Sequence, residues 1–214
     1  MSYLSFDVGI KNLAYCVLTD EKHISQWGII NLNKNPQCCS NLRKPCTKQA
    51  SFIVDGKNYY CSSHAKKFKK KKKLNTNYDL VELSKTCISE LQQLDLSDIK
   101  HVLIENQPAL KNPTMKSVQM IIYTFFIMNG IMNDNSTIEN LHMVNARNKL
   151  KVYKGPPVEC DKKNKYNKNK FLSVEYCKYM ITNEDQSFID LFNTSKKKDD
   201  LADCYLQGIY WIEK

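Results

Sequence analysis

Hydrophobic and polar residues alternate in three short runs near the start of the chain, which is the pattern of half-buried β-strands. The runs cover residues 3–8, 13–18 and 24–32, and only a few residues separate each run from the next. Such short connections predict antiparallel hairpins.

Beyond residue 74 the pattern changes to apolar residues at helical spacing, interrupted by short apolar runs. Helices are predicted over 78–94, 113–132, 170–181 and 199–212, with strands at 101–105 and 141–144 and a polar, lysine-rich loop at 154–168. This order predicts an α/β fold: a mixed sheet, whose first three strands are antiparallel, flanked by helices.

Residues 35–73 break this pattern, and we expect them to be an insert in a domain formed by 1–34 and 74–214. They contain Cys38, Cys39, Cys46, Cys61 and His64, with two residues between Cys61 and His64. Structural zinc takes four nitrogen or sulfur ligands. We predict a small zinc-binding segment in which one of Cys38 and Cys39 joins the other three ligands. The alternative is a set of free thiols in a loop.

The chain carries a formal net charge of +10, because 32 Lys and Arg residues oppose 22 Asp and Glu residues. Basic proteins with clustered lysines commonly bind nucleic acid. Seven lysines fill positions 66–73 around Phe68, in a run that we expect to be solvated and mobile, and a second cluster surrounds Tyr166. The lysines expected to bind phosphates without reading sequence are Lys66, Lys67, Lys69, Lys70, Lys162, Lys163, Lys165, Lys168 and Lys170. For the first run, a localisation signal or a solubilising loop is the alternative.

Membrane insertion is not expected, because no apolar run approaches the ~20 residues of a membrane-spanning helix. The chain opens directly into a strand pattern rather than a signal peptide. We therefore expect a soluble intracellular protein of the cytoplasm or nucleus.

Four carboxylates stand out by position: Asp7 in the first strand, Glu105 at the end of an apolar strand, and Asp200 and Asp203 near the start of the last helix. The spacing of Asp200 and Asp203 places both on one helix face. Mg²⁺ binds through a few carboxylates together with substrate phosphate, and two such ions catalyse phosphodiester hydrolysis. The pattern predicts a Mg²⁺ or Mn²⁺ centre, whereas turn and helix-cap roles are the alternative for each residue alone.

Three segments resemble motifs of RuvC-like Holliday junction resolvases, particularly the poxvirus type. Residues 6–14, Phe-Asp-Val-Gly-Ile-Lys-Asn-Leu-Ala, resemble the first-strand motif, and residues 102–108, Val-Leu-Ile-Glu-Asn-Gln-Pro, resemble the second. Residues 198–203, Lys-Asp-Asp-Leu-Ala-Asp, resemble the final motif, and the basic stretch 167–173 also looks similar. Residues 35–73 are extra relative to the short poxvirus pattern.

This resemblance implies an RNase H-like fold and a Mg²⁺-dependent endodeoxyribonuclease that cleaves four-way DNA junctions as a homodimer, at a viral replication site if the protein is viral. Asp7, Glu105, Asp200 and Asp203 match the catalytic acidic residues, and Asp199 could be confused with the closing pair. A ribonuclease H or transposase type of nuclease and a non-catalytic, zinc-dependent nucleic-acid-binding protein are the alternatives. A phosphotransferase of the actin–hexokinase type is set aside, because the six glycines do not cluster into a phosphate loop.

The predicted helix at 113–132 is the expected dimer interface. Its residues from Ser117 to Met132 are apolar over more than one face, so that one side can pack on the sheet and the other on a second copy. A fully internal helix of a monomer is the alternative.

Overall fold

The structure is a computed structural model that describes residues 1–32, 35–41, 44–74, 79–110 and 112–214. The chain divides into a larger compact unit, Met1–Leu32 with Ser84–Lys214, and a smaller one within Asn33–Leu83. The strands are β1 Ser2–Asp7, β2 Asn12–Thr19, β3 Ile24–Asn31, β4 Phe52–Val54, β5 Asn58–Tyr60, β6 Lys72–Lys73, β7 Ile99–Glu105 and β8 Asn140–Val144. The α-helices are α1 Leu80–Leu91, α2 Pro113–Phe126, α3 Lys165–Met180, α4 Gln186–Thr194 and α5 Lys198–Ile212.

The larger unit contains a five-stranded sheet in the order β3-β2-β1-β7-β8. The first three strands are antiparallel, whereas β7 runs parallel to both β1 and β8. This is the predicted mixed sheet, and the predicted fold class is confirmed. Because β1 and β7 are parallel neighbours, their carboxyl ends lie side by side.

Helix α5 packs closely against β1 and β2. Gly208 allows this approach, since a Cβ there would lie 2.6 Å from Leu18 Cδ1. The buried side-chain amide of Gln207 then fixes the register of the helix, donating to Ser5 Oγ and to the Phe6 carbonyl oxygen at 3.1 Å each. These contacts set the first turns of α5 near the end of β1.

Helix α2 covers the other face of the sheet, where the Phe126 ring lies 5.7 Å from the Phe6 ring. Regular α-helix ends at Phe126 rather than at the predicted Met132, and a π-helical turn, Ile127–Ile131, follows it. Gly130 lies against Ile138 within this turn, at a point where a Cβ would be 3.2 Å from the Ile138 side chain.

Several predicted boundaries were wrong for local reasons. Helix α3 begins at Lys165, inside the segment predicted to be a loop, because the Asn164 side chain accepts from the Tyr166 and Asn167 amides. Helix α4 was not predicted, although Asp185 caps it by accepting from the Ser187 amide at 2.8 Å. The predicted helix start at residue 78 lies outside the described residues.

The smaller unit contains a three-stranded sheet in the order β5-β4-β6, which the sequence did not predict. The lysine run was expected to be mobile. Instead, its last two residues form β6, which pairs with Phe52 and Ile53 of β4. Backbone pairing therefore orders the end of the run. Across the described parts of the whole chain, no helix is long and apolar enough to cross a membrane.

Candidate active site

The four predicted carboxylates converge on one cleft of the larger unit, with a volume of about 540 Å³. Asp7 ends β1 and Glu105 ends β7, and the parallel register of these strands brings both side chains to the face covered by α5. Asp200 and Asp203 reach the same cleft from the first turns of α5. Strand alternation and helical spacing therefore place all four acids together.

The electrostatics of this cluster are unfavourable without a cation. Burial raises the pKa of Asp7 well above its ordinary value, and the charges of Glu105 and Asp203 raise it further. Burial also raises the pKa of Asp203 and that of Asp200. Buried carboxylates that repel one another are costly to ionise, so a bound cation would stabilise their charged forms.

Asp203 presents a carboxylate oxygen that a cation could bind. Its Oδ1 atom is buried and has no hydrogen-bond partner among the described residues. A buried, unpaired carboxylate oxygen is costly unless something binds it. Hard oxygen donors of this kind suit Mg²⁺ or Mn²⁺, and the donor set of the cleft fits such an ion.

Lys149 is a residue of this site that the sequence analysis missed. It lies on the 3₁₀ helix Ala146–Val152, and its Nζ is 2.6 Å from Asp203 Oδ2. Burial alone would lower the pKa of Lys149, but the Asp203, Asp7 and Glu105 carboxylates outweigh burial and raise it. No spacing relative to the acidic motifs distinguishes this lysine from its neighbours in the sequence.

Two glutamines hold Glu105 in place. The side-chain Nε2 of Gln107 donates to Glu105 Oε2 at 2.8 Å. The backbone N–H of Gln107 donates to Gln119 Oε1, also at 2.8 Å. Gln119 is fully buried on α2 and accepts a further hydrogen bond from Lys116 Nζ. Gln107 belongs to the second motif quoted above, but nothing in the sequence indicated the partner on α2.

Asp199 is separated from the cluster although it adjoins Asp200 in sequence. It forms an ion pair with Lys170 and does not line the cleft, whereas Asp200 does. Asp200 has its own partners, since Asn12 Nδ2 donates to its Oδ2 at 3.4 Å and Lys197 Nζ lies at 3.6 Å. The structure thus distinguishes the two neighbouring acids.

The predicted phosphate-binding lysines occupy different environments. Lys170 is in the cleft, but its ammonium group is already engaged by Asp199. The rim of the cleft also offers Lys11 and Arg147, which the prediction did not include, and Lys197, whose Nζ lies 3.6 Å from Asp200 Oδ2. The remaining predicted lysines are exposed: Lys66, Lys67, Lys69, Lys70, Lys162, Lys163, Lys165 and Lys168.

The smaller unit has a second candidate metal site, formed by Cys38, Cys46, Cys61 and His64. Their ligand atoms all lie within 4.8 Å of one another. His64 Nδ1 is 3.4 Å from both the Cys38 and the Cys61 sulfur. Cys39 is exposed, and its sulfur accepts from the Tyr59 amide instead. Three cysteines and one histidine at these distances are compatible with a tetrahedral metal ion.

Comparison with known proteins agrees with this architecture. The chain is 31% identical to the uncharacterized protein L451 of Acanthamoeba polyphaga mimivirus, over 95% of its own length. It spans only 60% of the length of that relative. The yeast mitochondrial Holliday junction resolvase Ydc2 superposes with a TM-score of 0.51 at 17% identity, covering 98% of this chain and 78% of that one. The fowlpox virus Holliday junction resolvase gives 0.52 at 16% identity, covering 100% and 98%.

At these identities the two solved structures establish the fold, which is the predicted RNase H-like one. Residues 3–109, half of the chain, match the sequence profile of a family described as mitochondrial resolvase Ydc2 / RNA splicing MRS1. That stretch includes Asp7, Glu105 and Gln107. The predicted resemblance to RuvC-like resolvases is confirmed: the chain belongs to the family described as mitochondrial resolvase Ydc2 / RNA splicing MRS1.

Proposed function

We propose that this protein is a Mg²⁺-dependent endonuclease that cleaves four-way DNA junctions. The observation that supports this most is the convergence of Asp7, Glu105, Asp200 and Asp203 on one cleft, with Asp203 Oδ1 buried and unpartnered. A structural role for these acids would have paired them individually with cations or backbone amides. Among the described residues, Asp203 pairs with Lys149 at 2.6 Å and Asp200 pairs more loosely with Lys197 at 3.6 Å, so two cations face four acids.

In this proposal the four carboxylates would hold Mg²⁺ or Mn²⁺, and the ion would supply Lewis acidity for phosphodiester hydrolysis. Gln107 orients Glu105 toward the cleft, and Lys149 orients Asp203 while offsetting part of the negative charge. Lys11, Arg147 and Lys197 on the rim can bind the flanking phosphates.

The junction specificity, the dimer and the zinc are further parts of the proposal. Both solved structures named above are of Holliday junction resolvases, and two symmetric nicks call for two active sites. Helix α2 and the turn after it leave apolar side chains exposed on the side away from the sheet, namely Met120, Met128, Ile131 and Met132. We propose that this surface forms a two-fold dimer, and that zinc occupies the Cys38, Cys46, Cys61 and His64 cluster.

A second candidate is a protein that binds RNA without cutting it, because the family description also includes an RNA splicing protein. The two functions differ in what the acidic cluster is for. Binding alone does not require four converging carboxylates, which repel nucleic acid when no metal is present.

The test is incubation of the protein with a synthetic four-way junction and with a duplex of matched sequence, in Mg²⁺, in Mn²⁺ and without divalent ions. The proposal predicts paired nicks in the junction only, in either metal. Tight binding of RNA or DNA without cleavage in both metals would establish the second candidate instead. Cleavage of the RNA strand of a hybrid would identify a ribonuclease of the same fold.

A further inference from the structure

The positive charge of the protein is concentrated in one segment. Residues 35–73 contain eleven basic side chains and a single acid, Asp55, so their formal charge equals the +10 of the whole chain. The rest of the chain is neutral overall. A segment this basic favours an anionic partner of its own.

The smaller unit holds the lysine run on a defined backbone. The run begins in the 3₁₀ helix His64–Lys67, and Lys71 Nζ donates to the Phe68 carbonyl oxygen at 3.1 Å. It ends in β6, where Lys73 pairs with Phe52 across the strands. The backbone of the run is therefore ordered at both ends, although its lysine side chains are exposed.

Three partly exposed aromatic rings lie among these lysines. Phe52 and Tyr60 are directly opposite each other on β4 and β5, so their side chains share one face of the small sheet. The Phe68 ring adds to this face, with its centroid 4.6 Å from that of Tyr60. We call Phe52, Tyr60 and Phe68 the aromatic face.

Lysine ammonium groups lie over each ring of the aromatic face. Lys67 Nζ is 5.5 Å from the Tyr60 centroid and 5.1 Å from the Phe68 centroid, and Lys71 Nζ is 6.0 Å from that of Phe52. Proteins that bind single strands combine a basic track for phosphates with aromatic rings on which bases stack. The aromatic face and its lysines supply both components.

We propose that the aromatic face binds unpaired nucleobases by stacking, while the lysines around it hold the phosphates of the same strand. The partner is a single-stranded or locally opened nucleic acid rather than a regular duplex, because paired bases stack on each other and do not offer their faces. This goes beyond the proposed nuclease function, since it requires neither a catalytic metal nor cleavage.

The test uses the full-length protein without Mg²⁺ and measures fluorescence anisotropy with two labelled strands of about 12 nucleotides, within the usual site size. One strand is oligothymidylate, and the other is abasic with the same phosphates. The wild-type protein should bind oligothymidylate at least about 10-fold more tightly, because one stacked base contributes roughly that factor. Equal affinity for the two strands would overturn the proposal.

Two variants test whether the aromatic face causes the preference for oligothymidylate. Phe68→Leu should weaken the preference for oligothymidylate, because one of the three rings is lost, and should bind the abasic strand as the wild type does. Tyr59→Leu is the matched control, because Tyr59 is also partly exposed on β5 but lies on the opposite face of the sheet. If Phe68→Leu keeps the full preference, or both variants weaken it equally, the aromatic face is not the binding surface.

A crosslinking experiment on the wild-type protein covers the case in which a variant fails to fold. An oligonucleotide containing 5-bromouracil is irradiated with the protein, and the modified residues are identified by mass spectrometry. Crosslinks at Tyr60 or Phe68 support the proposal, whereas crosslinks found only outside residues 35–73 refute it. Neither result depends on nuclease activity, so a failure here leaves the proposed function standing, and the reverse also holds.

Discussion

Lys149 provides a quantitative test of the charge balance in the cleft. Its Nζ lies 2.6 Å from Asp203 Oδ2, and the two side chains are only 15% and 19% exposed. Removing one partner of a buried ion pair costs about 3–5 kcal/mol. The partial exposure of this pair places the expected cost of Lys149→Met near the lower limit, about 3 kcal/mol of unfolding free energy in buffer without divalent ions.

Mg²⁺ should reverse much of this loss. The variant leaves Asp203, Asp7 and Glu105 without their neighbouring cation, so a divalent ion should stabilise Lys149→Met more than the wild type. Urea denaturation followed by tryptophan fluorescence measures both effects, because the two tryptophans, Trp27 and Trp211, lie in the larger unit.

Lys151→Met is the matched control, since Lys151 is exposed on the same 3₁₀ helix. It should change the unfolding free energy by less than about 0.5 kcal/mol, as ordinary surface substitutions do. The reasoning is refuted if Lys149→Met is no less stable than this control, or if Mg²⁺ stabilises the variant and the wild type equally.

Three further predictions concern the acids, the zinc and the dimer. In the wild type, the raised pKa of Asp7 means that the native state holds the carboxyl proton more tightly than the unfolded chain does, so stability falls as the pH rises above about 4. Asp7→Asn lacks this proton and should therefore gain stability relative to the wild type over the same pH range, without divalent ions. Urea denaturation at a series of pH values tests this, and identical pH slopes for the two proteins would contradict it. Purified protein should contain about one zinc per chain by metal analysis, lost in Cys46→Ser and kept in Cys39→Ser, whereas equal zinc contents in the two variants would argue against the cluster. Light scattering should give about twice the 24.9 kDa chain mass, falling toward the monomer in Met128→Lys, and a wild-type monomer at all concentrations would rule out the dimer.

The five-stranded sheet and the positions of the acidic residues could be predicted from the sequence, because both depend on local periodicity. Alternation places Asp7 on a fixed face of its strand, and the spacing of Asp200 and Asp203 places them on one face of a helix. The motif around Glu105 then identified the neighbouring strand. These features require no knowledge of contacts between distant segments.

Features that depend on such contacts were missed. Lys149 and Gln119 enter the site only because the 3₁₀ helix and α2 pack near the ends of β1 and β7. The small sheet of the inserted segment has strands of two or three residues, too short for an alternating pattern to be recognised. The start of α3 was not predicted because its first turn is polar. The boundary is set by the side-chain cap of Asn164 and not by a hydrophobic pattern.

The most direct test of the proposed metal centre compares three substitutions at the start of α5: Asp199→Asn, Asp200→Asn and Asp203→Asn. All three remove one negative charge from the same two turns of helix, but only Asp200 and Asp203 line the cleft, while Asp199 pairs with Lys170. The measurement is the single-turnover rate of junction cleavage in Mg²⁺. We predict that Asp200→Asn and Asp203→Asn lose cleavage while still binding the junction, and that Asp199→Asn keeps a rate within about 10-fold of the wild type, a change of about 1.4 kcal/mol in the barrier. Near-wild-type cleavage by Asp203→Asn, or an equal loss in all three variants, would contradict the assignment.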